Sequence, residues 1–269
     1  MGFDDGVDLG AVDLVVAGAA GLLAGAVNAV AGGGTLISFP ALVAIGVPSV
    51  QANITNTVAL CPGYFGGAAS QRADLRPQRH RVPWLAAVSA LGGLAGSIIL
   101  VFTSSDTFDA LVPFLIVGAC ALLVVQDPLR RWLRRSRRPA RDAGAAAVAG
   151  SGTRPSVPLL GGVFLAAIYG GFFGAGLGIM LLAVLGLLLD DALVRLNALK
   201  SALALVINVM AALFFLFSGK VIWSAAAVMA VTSLVGGALG GRLATRLKPN
   251  VLRAAVVVFG VAVALKFWL

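Results

Sequence analysis

Long apolar blocks separated by short polar or glycine-rich gaps divide the chain into ten segments. In the first half they cover about 9–31, 35–47, 50–70, 82–102 and 108–126; in the second they cover about 158–174, 176–189, 192–218, 221–241 and 250–269. The apolar runs at 82–102, 108–125, 158–173, 221–241 and 251–269 have the length that spans a bilayer as a helix. The pattern predicts an all-α integral membrane protein. The second segment of each half is short: residues 35–45 make about 16 Å of helix against a hydrocarbon core of about 30 Å. Glycines precede it and Gly46, Val47 and Pro48 end it, while its counterpart at 178–189 ends at Asp190 and Asp191. Short, Gly- or Pro-interrupted segments at matching places in two halves point to a transport site. Segments two and three of each half are therefore expected to be short or broken helices meeting near the midplane.

The halves are repeats. Gly92-Gly93-Leu94-Ala95-Gly96 returns 144 residues later as Gly236-Gly237-Ala238-Leu239-Gly240, and 53–57 returns at the same offset as 197–201. The turn Gly32-Gly33-Gly34 returns 142 residues later as Gly174-Ala175-Gly176. This gives a first transmembrane repeat at 9–126, a basic linker at 127–157 and a second repeat at 158–269.

Charge orients the repeats. The loop after segment three carries Arg72, Arg76, Arg79 and Arg81, and the linker carries eight Arg against two Asp. Both are expected on the cytoplasmic side, since Lys and Arg in short loops face inward. In the second half the basic cluster of Arg242, Arg246, Lys248 and Arg253 follows segment four instead. The repeats are then inverted relative to each other, with both termini facing outward. A net charge of +9 would suggest nucleic acid in a soluble protein, but a chain that is 59% hydrophobic and 12% charged lies outside the soluble range of about 25% charged residues. No nucleic-acid partner is expected; membrane lipid and a small solute are, and a homodimer is compatible with the class. Residues 1–13 hold four Asp and no Lys or Arg, unlike a signal peptide, so the first segment is expected to be retained. Cys61 and Cys120 lie within apolar segments and have no metal-ligand spacing. No glycine loop is followed by Lys-Ser or Lys-Thr, and no nucleophile has a base nearby in sequence. Neither an enzyme, a cofactor nor a metal site is expected.

Candidate chemistry gathers where segment three begins polar. The first half reads Gln51-Ala52-Asn53-Ile54-Thr55-Asn56-Thr57 and the second Arg195-Leu196-Asn197-Ala198-Leu199-Lys200-Ser201, pairing Asn53 with Asn197, Asn56 with Lys200 and Thr57 with Ser201. Helix N-termini offer unpaired N–H groups and the positive dipole end; with Asn, Thr, Ser and one Lys they would suit a small anion. The competing reading is that these residues cap helices. Lys200 stands among apolar neighbours, where an ionisable group is costly and by default functional; snorkelling, or pairing with Asp190 or Asp191, is the alternative. Arg195, nearer those aspartates, reads as structural. Asn28 and Tyr169 occupy corresponding places before the glycine turns and could line a cavity or bond between helices. Gly33 and its neighbours permit a tight break and close approach to a ligand. Gly92, Gly96, Gly236 and Gly240 suit close helix packing. His80 reads as a solvated loop residue.

The stretches 25–42 and 52–57, with 169–178 and 196–201 in the second half, resemble the TauE/SafE, or sulfite exporter, family. The similarity covers nearly all of the chain except the basic linker. It implies passage of small anions, typically sulfur-containing ones such as sulfite, sulfoacetate or related organosulfonates, across a bacterial cytoplasmic membrane, with export the implied direction. On that basis Asn28, Gly33, Asn53, Thr55, Asn56, Thr57, Tyr169, Asn197, Lys200 and Ser201 are the candidate substrate-binding residues. Alternating access is the expected mechanism; a passive anion channel or uniporter, or a carrier of a small carboxylate, is the alternative.

Overall fold

The computed structural model describes residues 9–30, 33–136, 155–243 and 249–268. Among these residues the chain is helical and has no strand. The helices are α1 (Ala11–Val30), α2 (Thr35–Ala44), α3 (Ser49–Ser70), α4 (Arg72–Leu75), α5 (Val82–Phe102), α6 (Ser105–Ser136), α7 (Val157–Phe172), α8 (Leu177–Leu188), α9 (Leu193–Leu216), α10 (Trp223–Leu243) and α11 (Pro249–Trp268), with a 3₁₀ turn at Arg76–Gln78. Helices α1, α5, α6 and α9 are each long and apolar enough to cross a membrane. The chain is an all-α, multi-pass membrane protein.

Two expectations are corrected. Segments three are not short or broken: α3 has 22 residues and α9 has 24, and each runs without interruption. Their polar starts are absorbed by the helix itself, because Thr57 donates to Asn53 O and Ser201 to Asn197 O, four residues back. Only α2 and α8, with 10 and 12 residues, are short. The linker also begins later than its composition implied. Helix α6 continues through Asp127 to Ser136 because Leu129 and Leu133, one turn apart, form an apolar stripe among the arginines; Leu133 is fully buried against Gly186 of α8. Residues 137–154 of the linker lie outside the described residues, and so does Gly32.

Contacts fix the helix directions. Gly162 of α7 faces Val184 and Leu188 of α8, while Gly170 faces Leu177. Helix α8 therefore doubles back along α7, and residues 157–188 form a hairpin whose tip is 173–176. The backbone turns there through Gly174 and Gly176, both at φ +76°, where a side chain would be strained. In the first half α2 likewise returns beside α1, since Gly34 lies against Ala24 O and Asn28 Cβ. Between the hairpins α3 and α9 run antiparallel: Gln71 at the end of α3 bonds Asn197 and Ser201 near the start of α9, and Tyr64 bonds Asn208 midway. Thr55, near the start of α3, meets Ile222 beyond the end of α9.

The tightest packing joins the halves. Helix α1 runs parallel to α10, with Gly18 against Val228 and Gly25 against Ser233 O; α5 runs parallel to α7, with Gly92 against Phe164 O and Gly96 against Ile168 O. A methyl group at Gly25, Gly96, Gly171 or Gly236 would collide with backbone atoms of the facing helix. These glycines are therefore seams where small residues let backbones approach; the surroundings of Gly240 lie outside the described side chains. In each case the first segment of one half lies on the fourth segment of the other.

Candidate functional site

The two hairpin tips approach the same turns of α6. Gly33 lies against Leu123, and Gly176 against Ala119 and Leu122. Aromatic rings link the second tip to the first half: Phe173 packs edge-on to Phe39 of α2 at 5.5 Å between centroids, and Phe108 of α6 meets Phe172 at 5.6 Å. Each tip is thus a glycine turn seated in packed apolar surface, followed by the N-terminus of a short helix.

Polar side chains from the crossing helices reach those short helices. On the first-half side Ser38 of α2 donates to Asn56 Oδ1 of α3, with Gly34 O at 3.2 Å competing for the same hydroxyl proton. On the second-half side the Lys200 chain lies along the first turn of α8: a methyl group on Gly178 would sit 3.7 Å from Cδ and 3.8 Å from Cε and Nζ. Asn56 and Lys200, paired by the repeat, therefore occupy equivalent places, each against the opening of the short helix of its own half. The second place carries a full positive charge beside the positive end of a helix dipole. Both terms favour a negative charge there.

The remaining candidates fall into three groups. Asn53, 1% exposed, donates to Phe172 O at the end of α7 (2.7 Å), which ties α3 to the second hairpin. Its repeat mate Asn197 donates instead to Gln71 Oε1 (2.7 Å), and Gln71 Nε2 donates to Ser201 Oγ (3.1 Å). Asn28 and Asn208 both hydrogen-bond Tyr64 at the crossing of α3 and α9. Tyr169 turns its hydroxyl into its own hairpin tip, donating to Ala175 O at 2.6 Å. Thr55 is placed apart from the tips: its Oγ1 accepts from Ile222 N (3.0 Å) and secures the start of α10. Arg195 pairs with Asp191 at 3.2 Å, alongside Arg81 at 3.6 Å, in the structural role its position implied.

Four site residues escaped the sequence reading. Tyr64 and Asn208 are repeat mates at the 144-residue offset, and two polar residues at one offset in otherwise apolar helices were the signal that could have found them. Ser38 sits in a short apolar segment and Gln71 in a loop-like stretch, and neither had a signal of its own.

Antiparallel α3 and α9, two glycine-tipped hairpins and a cation against the first turn of α8 define the architecture of this membrane protein. The comparisons agree. The family profile described as Sulfite exporter TauE/SafE matches residues 17–267, and the chain belongs to that family. It is similar to the probable membrane transporter protein ORF9 of Sinorhizobium sp, with 25% identity over 92% of this chain and 89% of the relative. It is also similar to the probable membrane transporter protein YfcA of Escherichia coli strain K12, with 27% identity over 91% and 86%. A probable membrane transporter protein of Haemophilus influenzae is 27% identical over 95% and 92%. No solved structure matches.

Proposed function

We propose that the protein is a secondary transporter that exports a small sulfur-containing anion, sulfite or an organosulfonate such as sulfoacetate, across the bacterial cytoplasmic membrane. The observation that carries the reading is Lys200 of α9 laid along the first turn of α8, the short second arm of a glycine-tipped hairpin. The family description supplies the sulfur oxyanion, and the chemistry of the place suits it. Lys200 would neutralise its charge, the positive end of the α8 dipole would add to it, and Asn197 and Ser201 lie on the same helix face as Lys200.

The mechanism we assign is alternating access by a chain of two inverted repeats, with units that each draw helices from both repeats moving around the site. Support comes from the antiparallel α3 and α9 and from the exchange of partners between first and fourth segments. In this reading the arginine-rich end at 72–81 faces the cytoplasm and both termini face outward. It is a transporter rather than an enzyme, in line with its family and named relatives.

The test is sulfite binding by purified protein, read as thermal stabilisation. A hydrogen bond to a charged group contributes about 1.5–3 kcal/mol, so Lys200→Ala is expected to weaken binding by about 10- to 150-fold while the protein remains folded. Equal stabilisation of both proteins by sulfite would remove Lys200 from the site.

A further inference from the structure

The segments joining α3 to α5 and α9 to α10 differ in length: 71–81 has eleven residues, and its counterpart at 217–222 has six. The longer segment lies across the first turns of α9 and runs opposite to it. Gln71 meets Asn197 and Ser201, Gln78 donates to Arg195 O at 2.9 Å, and Arg81 pairs with Asp191 at 3.6 Å. Asn197, Lys200 and Ser201, at spacings of three and four, share one face of α9. Gln71 therefore rests on the face that carries the cation. Its amide oxygen takes the Asn197 Nδ2 proton at 2.7 Å, as an oxygen of a bound anion would, and its Nε2 holds Ser201 Oγ at 3.1 Å. The first half has no such arrangement, because there Asn53 donates to the backbone at Phe172 O.

We propose that Gln71 is an internal competitor for the anion at Lys200, a positioning residue that closes the site toward the arginine-rich face until an anion displaces its amide. This rests on the reading of Lys200 as an anion site. On displacement Asn197 Nδ2 exchanges the Gln71 oxygen for an oxygen of the anion. Ser201, which now donates to Asn197 O at 3.0 Å, loses the Gln71 donor and turns its own proton to the incoming charge. The 71–81 segment then lifts from α9 at that end, while its Arg81–Asp191 end stays docked.

Two readouts test it. In a chain with Cys61→Ala and Cys120→Ala, a membrane-impermeant thiol reagent applied from the arginine-rich face measures access to Lys200→Cys. Removing the competitor with Gln71→Ala removes the cost of opening, and at least about a fivefold faster reaction is expected from that face, with no change from the other. Equal rates with and without Gln71 overturn the proposal, and since no anion is used this result stands whatever the substrate is. In the otherwise native chain, Gln71→Ala is expected to tighten sulfite binding several-fold and Gln71→Glu to weaken it. A merely structural Gln71 would weaken binding in both variants, and that outcome also overturns the proposal. Failure of the native chain itself to bind sulfite counts against the substrate reading, and the labelling rates then decide the gate.

Discussion

At the scale of single residues, the repeat is most informative where its mates do different things. Thr57 and Ser201 make the same bond to the carbonyl four residues back, so they serve the helix in both halves. Asn53 and Asn197 diverge, one tying a hairpin and the other bonding Gln71. Asn56 and Lys200 hold equivalent places with different charge. A lysine at membrane depth costs about 2.5–3.5 kcal/mol on insertion scales. Asn56 makes its contact without that cost, and in the proposed reading a bound anion offsets it at Lys200. Tyr64 is the mate of Asn208 and touches it, joining three polar side chains from α1, α3 and α9. Hydrogen bonds within membranes average about 0.6 kcal/mol, and Tyr64→Phe breaks two of them while Asn208 Nδ2 keeps its bond to Ala204 O, so a loss of about 1–2 kcal/mol is expected. Thermal unfolding in detergent should show a midpoint lowered by a few degrees; an unchanged or raised midpoint would mean the cluster holds nothing together.

At the scale of elements, the short helices decide the architecture. Helix α8 is about 18 Å long and α2 about 15 Å, about half of a 30 Å hydrocarbon core, and each returns along the helix before it. The hairpins enter from opposite ends of the bundle. Cysteine labelling in cells is expected to reach Pro48→Cys only from outside and Asp190→Cys only from the cytoplasm. A bulky reagent should reach Ala175→Cys, at the second tip, from neither face. Labelling of both loops from one face would contradict the inverted arrangement, and labelling at the tip would contradict the folded-back helix. The short second segments were legible in sequence because glycines and a Gly-Val-Pro end mark them. The third segments were misread as broken because Asn, Thr and Gln resemble a helix boundary. Their side chains bond neighbouring helices and their own backbone, information that exists only after folding. The extension of α6 was hidden for a related reason: eight arginines outweigh two leucines in composition, yet Leu129 packs against the core and Leu133, one turn on, packs on Gly186 of α8.

At the scale of the whole molecule, the two halves share their interfaces rather than standing side by side. Helix α1 packs on α10 and α5 on α7, and glycine seams let these backbones approach closely. Such seams leave little room for rearrangement within a pair, so motion between α1–α10 and α5–α7 as units fits better than motion of one sequence half against the other. The hairpin tips and the crossing of α3 and α9 would lie where these units meet. The membrane class was readable from the chain, but the partners of Lys200, Asn197 and Asn53 were not, because they come from residues over 20 to more than 100 positions away. The most direct test of the account is sulfite movement into proteoliposomes under an imposed pH gradient. The account predicts accumulation beyond electrochemical equilibrium by the native chain and its loss in Lys200→Ala; flux that only relaxes to equilibrium, or accumulation undiminished in the variant, would contradict it.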